Sequence, residues 1–159
     1  RLPVHRYRKN LNKRGQQMYK QLETIITSLN EDLDLVSQRI GSKVDLSHEQ
    51  FVILRLLYTK QMMSQHTITH KLHREQSLVS RWIKKLRRLD YVKSQTSPVD
   101  MRRKDLLLTE RGLELVRQIN EARISLLEVR AQKLTEDEQA LFATLLAKLN
   151  DSDQADDAE

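Results

Sequence analysis

The stretch MSQHTITHKLHREQSLVSRWIKKLRRLDYVKSQTSPVDMRRKDLLLT, Met63 to Thr109, decides the fold. Ile68 and Leu72 stand four apart, as do Val79 and Ile83, with Leu86 three further on, so each set lies on one helical face. His73-Arg74-Glu75 is a short polar break between them, and the second helix then runs to about Leu89 without Gly or Pro. Two short helices joined so closely form a helix-turn-helix, whose second helix can enter a DNA major groove. Beyond it the hydrophobic period shortens to that of a strand. Tyr91–Gln95 and Lys104–Leu108 flank Thr96–Arg103, a loop too long for a tight turn and tipped with Arg102 and Arg103. A hairpin with a basic tip directly after a helix-turn-helix is a winged helix.

The outward face of the second helix carries Gln76, Ser77, Ser80, Arg81, Lys84, Lys85 and Arg88. Gln76, Ser77, Ser80 and Arg81, at its N-terminal end, are donors suited to base edges. Arg81 can take a guanine and Gln76 an adenine in bidentate fashion, each worth about 1 to 3 kcal/mol of discrimination. Lys84, Lys85 and Arg88, with Arg74 in the turn, suit phosphates, which give affinity with little sequence information. Trp82, between Leu78 and Leu86, reads as core.

With VSRWIKKLRRLDYV at Val79–Val92, followed by Asp100, Arg102, Leu106, Leu108 and Thr109 in the pattern D-x-R-x-x-x-L-x-L-T and by Gly112, the chain resembles the MarR family of bacterial transcription regulators. Each piece is weak alone, but the wing motif at this distance from V-S-R is specific, and the likeness runs from roughly Tyr19 to Asn150. The chain departs from the family's pattern at the turn, where His73 and Arg74 replace a Gly and an apolar residue. It departs again at Thr69, where a small residue is usual, and at Asp90, where Gly commonly precedes the wing. His and Asp tolerate left-handed backbone better than most residues.

The resemblance implies that Arg102 enters a minor groove, where the negative potential is strongest when the groove is narrow, while Asp100 orients the wing. It also implies a homodimer, the first and last helices of two subunits interlocking. A further implication is a small aromatic or amphipathic effector lodged between the dimerisation helices and the DNA-binding lobe. The fold class expected is mainly α with a small β-hairpin wing, a winged helix-turn-helix core flanked by N- and C-terminal dimerisation helices.

Outward from the lobe, residues 1–15 form a basic arm with Pro3 and Gly15 as breakers, and residues 16–41 a dimerisation helix. Leu22, Ile25, Ile26, Leu29, Leu33, Val36 and Ile40 recur at three- and four-residue steps, an apolar stripe that needs a surface to lie against. Within the lobe, residues 46–109, Ser47 and Gln50 make a capping box that opens a helix burying Phe51, Ile53, Leu54, Leu57 and Tyr58. Ser64 starts the next helix.

Residues 110–150 hold the C-terminal dimerisation helices. Thr109 caps the first, which runs to about Gln132, and Gly112 in its first turn permits close approach to the wing strands. Thr135 and Glu138 open the last helix with a second capping box, and its Leu141, Leu145, Leu146 and Leu149 are expected to be buried. Residues 151–159 form an acidic tail expected to be disordered.

Composition sets the outer limits. Hydrophobic residues make up 38% of the 159 and aromatics 4%, so the core rests on Leu, Ile and Val and gains from a partner subunit. Lys+Arg outnumber Asp+Glu by 28 to 22, and the net charge of +6 favours a polyanionic partner, here double-stranded DNA. The absence of Cys excludes disulfides, thiolate zinc sites and cysteine redox sensing. His66 and His70 stand four apart near His73, but two imidazoles with no carboxylate or thiolate at hand make a weak metal signal, and no cofactor is expected.

No Gly-rich phosphate loop, G-x-S-x-G or H-E-x-x-H occurs, so an enzyme is not expected. No apolar run approaches a membrane span, which points to a cytoplasmic protein. The function expected is a ligand-responsive repressor binding a pseudo-palindromic operator. A winged-helix protein-interaction module and a nonspecific architectural DNA binder are the alternatives.

Overall fold

The computed structural model describes residues 13–97 and 104–150. Its elements run α1 Lys13–Lys43, α2 His48–Lys60, β1 Met63–Ser64, α3 Gln65–Leu72, α4 Gln76–Arg88, β2 Val92–Thr96, β3 Lys104–Leu108, α5 Glu110–Ala131 and α6 Glu136–Asn150. The chain divides into two compact units, Arg1–Asn120 and Glu121–Glu159. The basic arm therefore lies outside the described residues up to position 12, as do the acidic tail and the wing tip with Asp100, Arg102 and Arg103. Gly15, expected to break the chain, is inside α1. One Gly costs a helix only about 1 kcal/mol, which a helix of 31 residues absorbs.

The first unit closes a core around α2. Ile53, Leu54 and Leu57 from α2 meet Ile68 of α3, Val79, Ile83 and Leu86 of α4, Leu106 and Leu108 of β3, and Leu115, Val116 and Ile119 of α5, all buried. At roughly 1.5–3 kcal/mol for each large aliphatic side chain removed from water, this cluster is the main source of the lobe's stability. Local signals start its helices where the sequence places them. Ser47 Oγ accepts from Gln50 N at 3.3 Å while Gln50 Oε1 accepts from Ser47 N at 2.9 Å, completing the capping box. Ser64 Oγ accepts from Thr67 N at 3.1 Å. Tyr58 does not join the core; it is 40% exposed at the edge of the α2 stripe. Trp82 is half-buried against the cluster.

The sheet is antiparallel in the order β1-β3-β2. β2 and β3 register Val92 with Leu108 and Thr96 with Lys104, the hairpin expected from the sequence. β1, a two-residue strand pairing Met63 with Leu106, was not anticipated.

Along α1 only the C-terminal end reaches the core, through Ile40 and neighbouring Val44. Gly41 O then accepts from Val44 N at 3.1 Å and Leu46 N at 2.9 Å, which turns the chain into α2 with Asp45 at φ 56°. Met18, Tyr19, Leu22, Ile25 and Ile26, nearer the helix start, are exposed.

In the second unit, Thr135 N donates to Glu138 Oε2 at 2.8 Å and Glu138 N to Thr135 Oγ1 at 3.3 Å, so the second capping box forms. Gln139 Nε2 ties the turn to Ala131 O at 3.0 Å and Leu134 O at 3.1 Å. The burial expected for Leu141, Leu145, Leu146 and Leu149 is not present within one chain. All four are exposed, Leu149 by 63%, because the unit has too few elements to cover both faces of α6.

Candidate nucleic-acid interface

The reading head is built by α3, the turn and α4. His73 ends α3 in the left-handed region at φ 49°, its N–H donating to His70 O at 3.2 Å, while Arg74 N reaches Thr69 O at 3.5 Å. A left-handed residue is how a helix is stopped and its last carbonyls satisfied without losing a turn. His73 does here what Gly does more cheaply. Glu75 precedes α4 without a side-chain cap, although Leu78 N and Val79 N bond its carbonyl at 3.1 Å. The amides of Gln76 and Ser77 thus open α4 without a side-chain cap from Glu75, beside the exposed Arg74.

With Val79, Ile83 and Leu86 turned into the core, α4 presents Gln76, Ser77, Ser80, Arg81, Lys84 and Arg88 to solvent on one face. The four base-reading candidates cluster at the N-terminal half and the cations follow, the arrangement that directs short donors to base edges and long charged ones to phosphates. Lys85 differs from its neighbours. It is half-buried, and its Nζ lies 2.8 Å from Asp45 Oδ2 at the α1–α2 turn. The hydrogen bond from Lys85, and then its charge, holds the Asp45 carboxyl below the usual carboxylate range. An ammonium already engaged this way is less available to a phosphate than Lys84.

One junction between the wing and this head runs through Asp90, Tyr91 and Thr109. Tyr91 N donates to Leu86 O at 2.9 Å as α4 ends, and Asp90 turns the chain at φ 60°, again in the left-handed region. Thr109 Oγ1 donates to Asp90 O at 2.6 Å and accepts from Gly112 N at 3.0 Å, while Thr109 N bonds Tyr91 O at 3.1 Å. Thr109 thus ends β3, caps α5 and grips the start of β2. A Cβ on Gly112 would fall far inside contact distance of the Tyr91 carbonyl oxygen and 3.3 Å from Leu108 Cδ2, so only Gly fits. Arg111 covers the other side of Tyr91, its guanidinium 5.0 Å from the ring centroid.

His66 and His70 are exposed on α3, and the rings of His70 and His73 lie 6.0 Å apart. Among the described residues no three His, Cys, Asp or Glu side chains converge to hold a metal ion.

A model of the MarR family matches residues 46–104, the lobe from the start of α2 to the first residue of β3. Over 118 residues the chain is 29% identical to the HTH-type transcriptional regulator PrsX of Escherichia coli, a match covering 73% of this chain and 70% of that protein. Among solved structures, apo MarR from E. coli aligns with a TM-score of 0.64 at 22% identity, over 80% of this chain and 95% of that one. A MepR variant of S. aureus bound to an oligodeoxyribonucleotide aligns with a TM-score of 0.59 at 25% identity, over 82% of this chain and 94% of that one.

Proposed function

We propose that the chain is a winged-helix transcriptional regulator of the MarR family, whose model matches residues 46–104, and that it binds a pseudo-palindromic DNA operator as a homodimer and represses transcription until a small ligand intervenes. The observation that carries this reading is the face of α4, where Gln76, Ser77, Ser80 and Arg81 stand exposed ahead of Lys84 and Arg88. The MepR relative bound to an oligodeoxyribonucleotide supports duplex DNA as the partner. The family consists of transcriptional regulators and not enzymes.

The dimer is supported by the apolar residues that one chain leaves in water, on the first half of α1 and along α6. A two-fold axis relating two α4 helices asks for half-sites about one helical turn apart. The effector is a small aromatic or amphipathic molecule acting between the dimerisation helices and the lobe. It works only by binding two arrangements of the heads with different affinity. Among the described residues no helix is long and apolar enough to cross a membrane; the location we propose, the cytoplasm, follows from DNA as the partner.

Selection from a random duplex pool by the full chain, followed by sequencing, tests the reading. An enriched inverted repeat with one-turn spacing is expected. Retention of bulk DNA at low salt without enrichment would make the protein a nonspecific architectural binder. No retention at all would leave a protein-interaction module.

A further inference from the structure

We propose that the groove between the C-terminal half of α4 and the first wing strand is a separate phosphate-binding surface, with Arg87 and Lys93 acting beside Lys84 and Arg88. Its ligand is the phosphodiester strand that separates the major groove read by α4 from the minor groove next to it. The inference rests on the DNA-binding reading and names a part of the ligand and two residues that the face of α4 alone did not single out.

The groove has a volume of about 590 Å³ and is walled on one side by Lys84, Arg87 and Arg88 and on the other by Lys93 and Ser94, with Asp90 between them. Four cations thus face one carboxylate. Lys84, Arg87, Arg88 and Lys93 are all exposed, and none has an ion pair among the described residues. β2 is an edge strand bonded only to β3, so the wall it forms is open on its outer side. A groove with cations on both walls matches a chain of negative charge lying along it better than a single anion. Contacts of this kind position a duplex without reading its sequence.

At 100° per residue, Arg87 and Lys85 project from opposite edges of the polar face of α4. Arg87 borders the groove. Lys85 turns away to Asp45. Adjacent Lys84 and Lys85 are therefore assigned different roles, which gives the proposal an internal control.

The test measures duplex affinity of the full chain across a salt series for wild type, Arg87→Gln, Lys93→Gln, the double variant and Lys85→Gln, with melting curves confirming that each is folded. Because each substitution occurs twice in the proposed homodimer, each groove variant is expected to flatten the slope of log K against log salt by about 1.8, and the double variant by about 3.6, equally for selected and scrambled duplexes. Lys85→Gln is expected to keep the wild-type slope. Unchanged slopes in folded Arg87 and Lys93 variants that still bind DNA would overturn the groove while leaving the regulator reading intact. A wild type that binds no duplex would overturn the regulator reading itself. Tripolyphosphate bound by the wild type but not by the double variant, without displacing duplex at matched ionic strength, would assign the groove to a soluble polyphosphate and overturn its role as a strand seat.

Discussion

In the first half of α5, Leu115, Val116 and Ile119 are buried, whereas in the second half Ile124, Leu127 and Val129 stand in water. One helix with one kind of residue thus serves two purposes. The first half completes a core to which α2, α3, α4 and the sheet all contribute. The second half belongs to a unit in which none of the described residues is buried. Apolar exposure of this extent, shared with the start of α1, is what a surface awaiting a second chain looks like. The lobe should accordingly be stable by its own contacts, and the helical arms by association.

Four substitutions sharpen or break that contrast. The largest effect is expected at Gly112→Ala, inside the lobe, where the methyl group has no room against the Tyr91 carbonyl. A loss of at least about 3 kcal/mol in denaturant unfolding, independent of protein concentration, is expected. A neutral result would mean that α5 can slide away from the wing.

Next comes a matched pair of leucines. Leu54→Ala, in the centre of the core, should cost about 2–5 kcal/mol at any concentration. Leu145→Ser, on α6 with the side chain 53% exposed, should leave the lobe folded but shift the sedimenting species towards monomer. If Leu145→Ser sediments as wild type, this face of α6 is not in the dimer.

The smallest effect is expected at Asp45→Asn, which removes the partner of Lys85 at an exposed site. Because Lys85 lowers the Asp45 pKa, the pair contributes above the ordinary carboxylate pKa of about 4 and is lost as pH falls through the lowered value. Melting midpoints of wild type and variant should differ slightly at neutral pH and converge in acid. A constant difference across that range would show that the ion pair is not its source.

What could be read from the sequence was what depends on near neighbours. The boxes at Ser47 and Thr135 need only residues three apart, and they form as expected. The left-handed turns at His73 and Asp90 were readable because few residue types tolerate that backbone. Distance hid the rest. β1 exists because Met63 finds Leu106 across the sheet, and two residues carry no period of their own. The helical wheel of α4 placed Lys85 with the phosphate candidates, but it could not show Asp45 waiting on another element. Arg87 shares the outward face and gains its meaning only when β2 brings Lys93 opposite it. The leucines of α6 announced that they need cover without saying what supplies it.

Thr109 gives α5 the mechanics of a lever. Its hydroxyl and amide bind the last turn of the head, the first wing strand and the first turn of α5 into one block, so the helix cannot pivot there without carrying the wing along. Within the first unit the turns of α5 from Glu110 to Asn120 form, at 1.5 Å per residue, an arm of about 16 Å rooted in that block. A tilt of that arm therefore turns the wing with it.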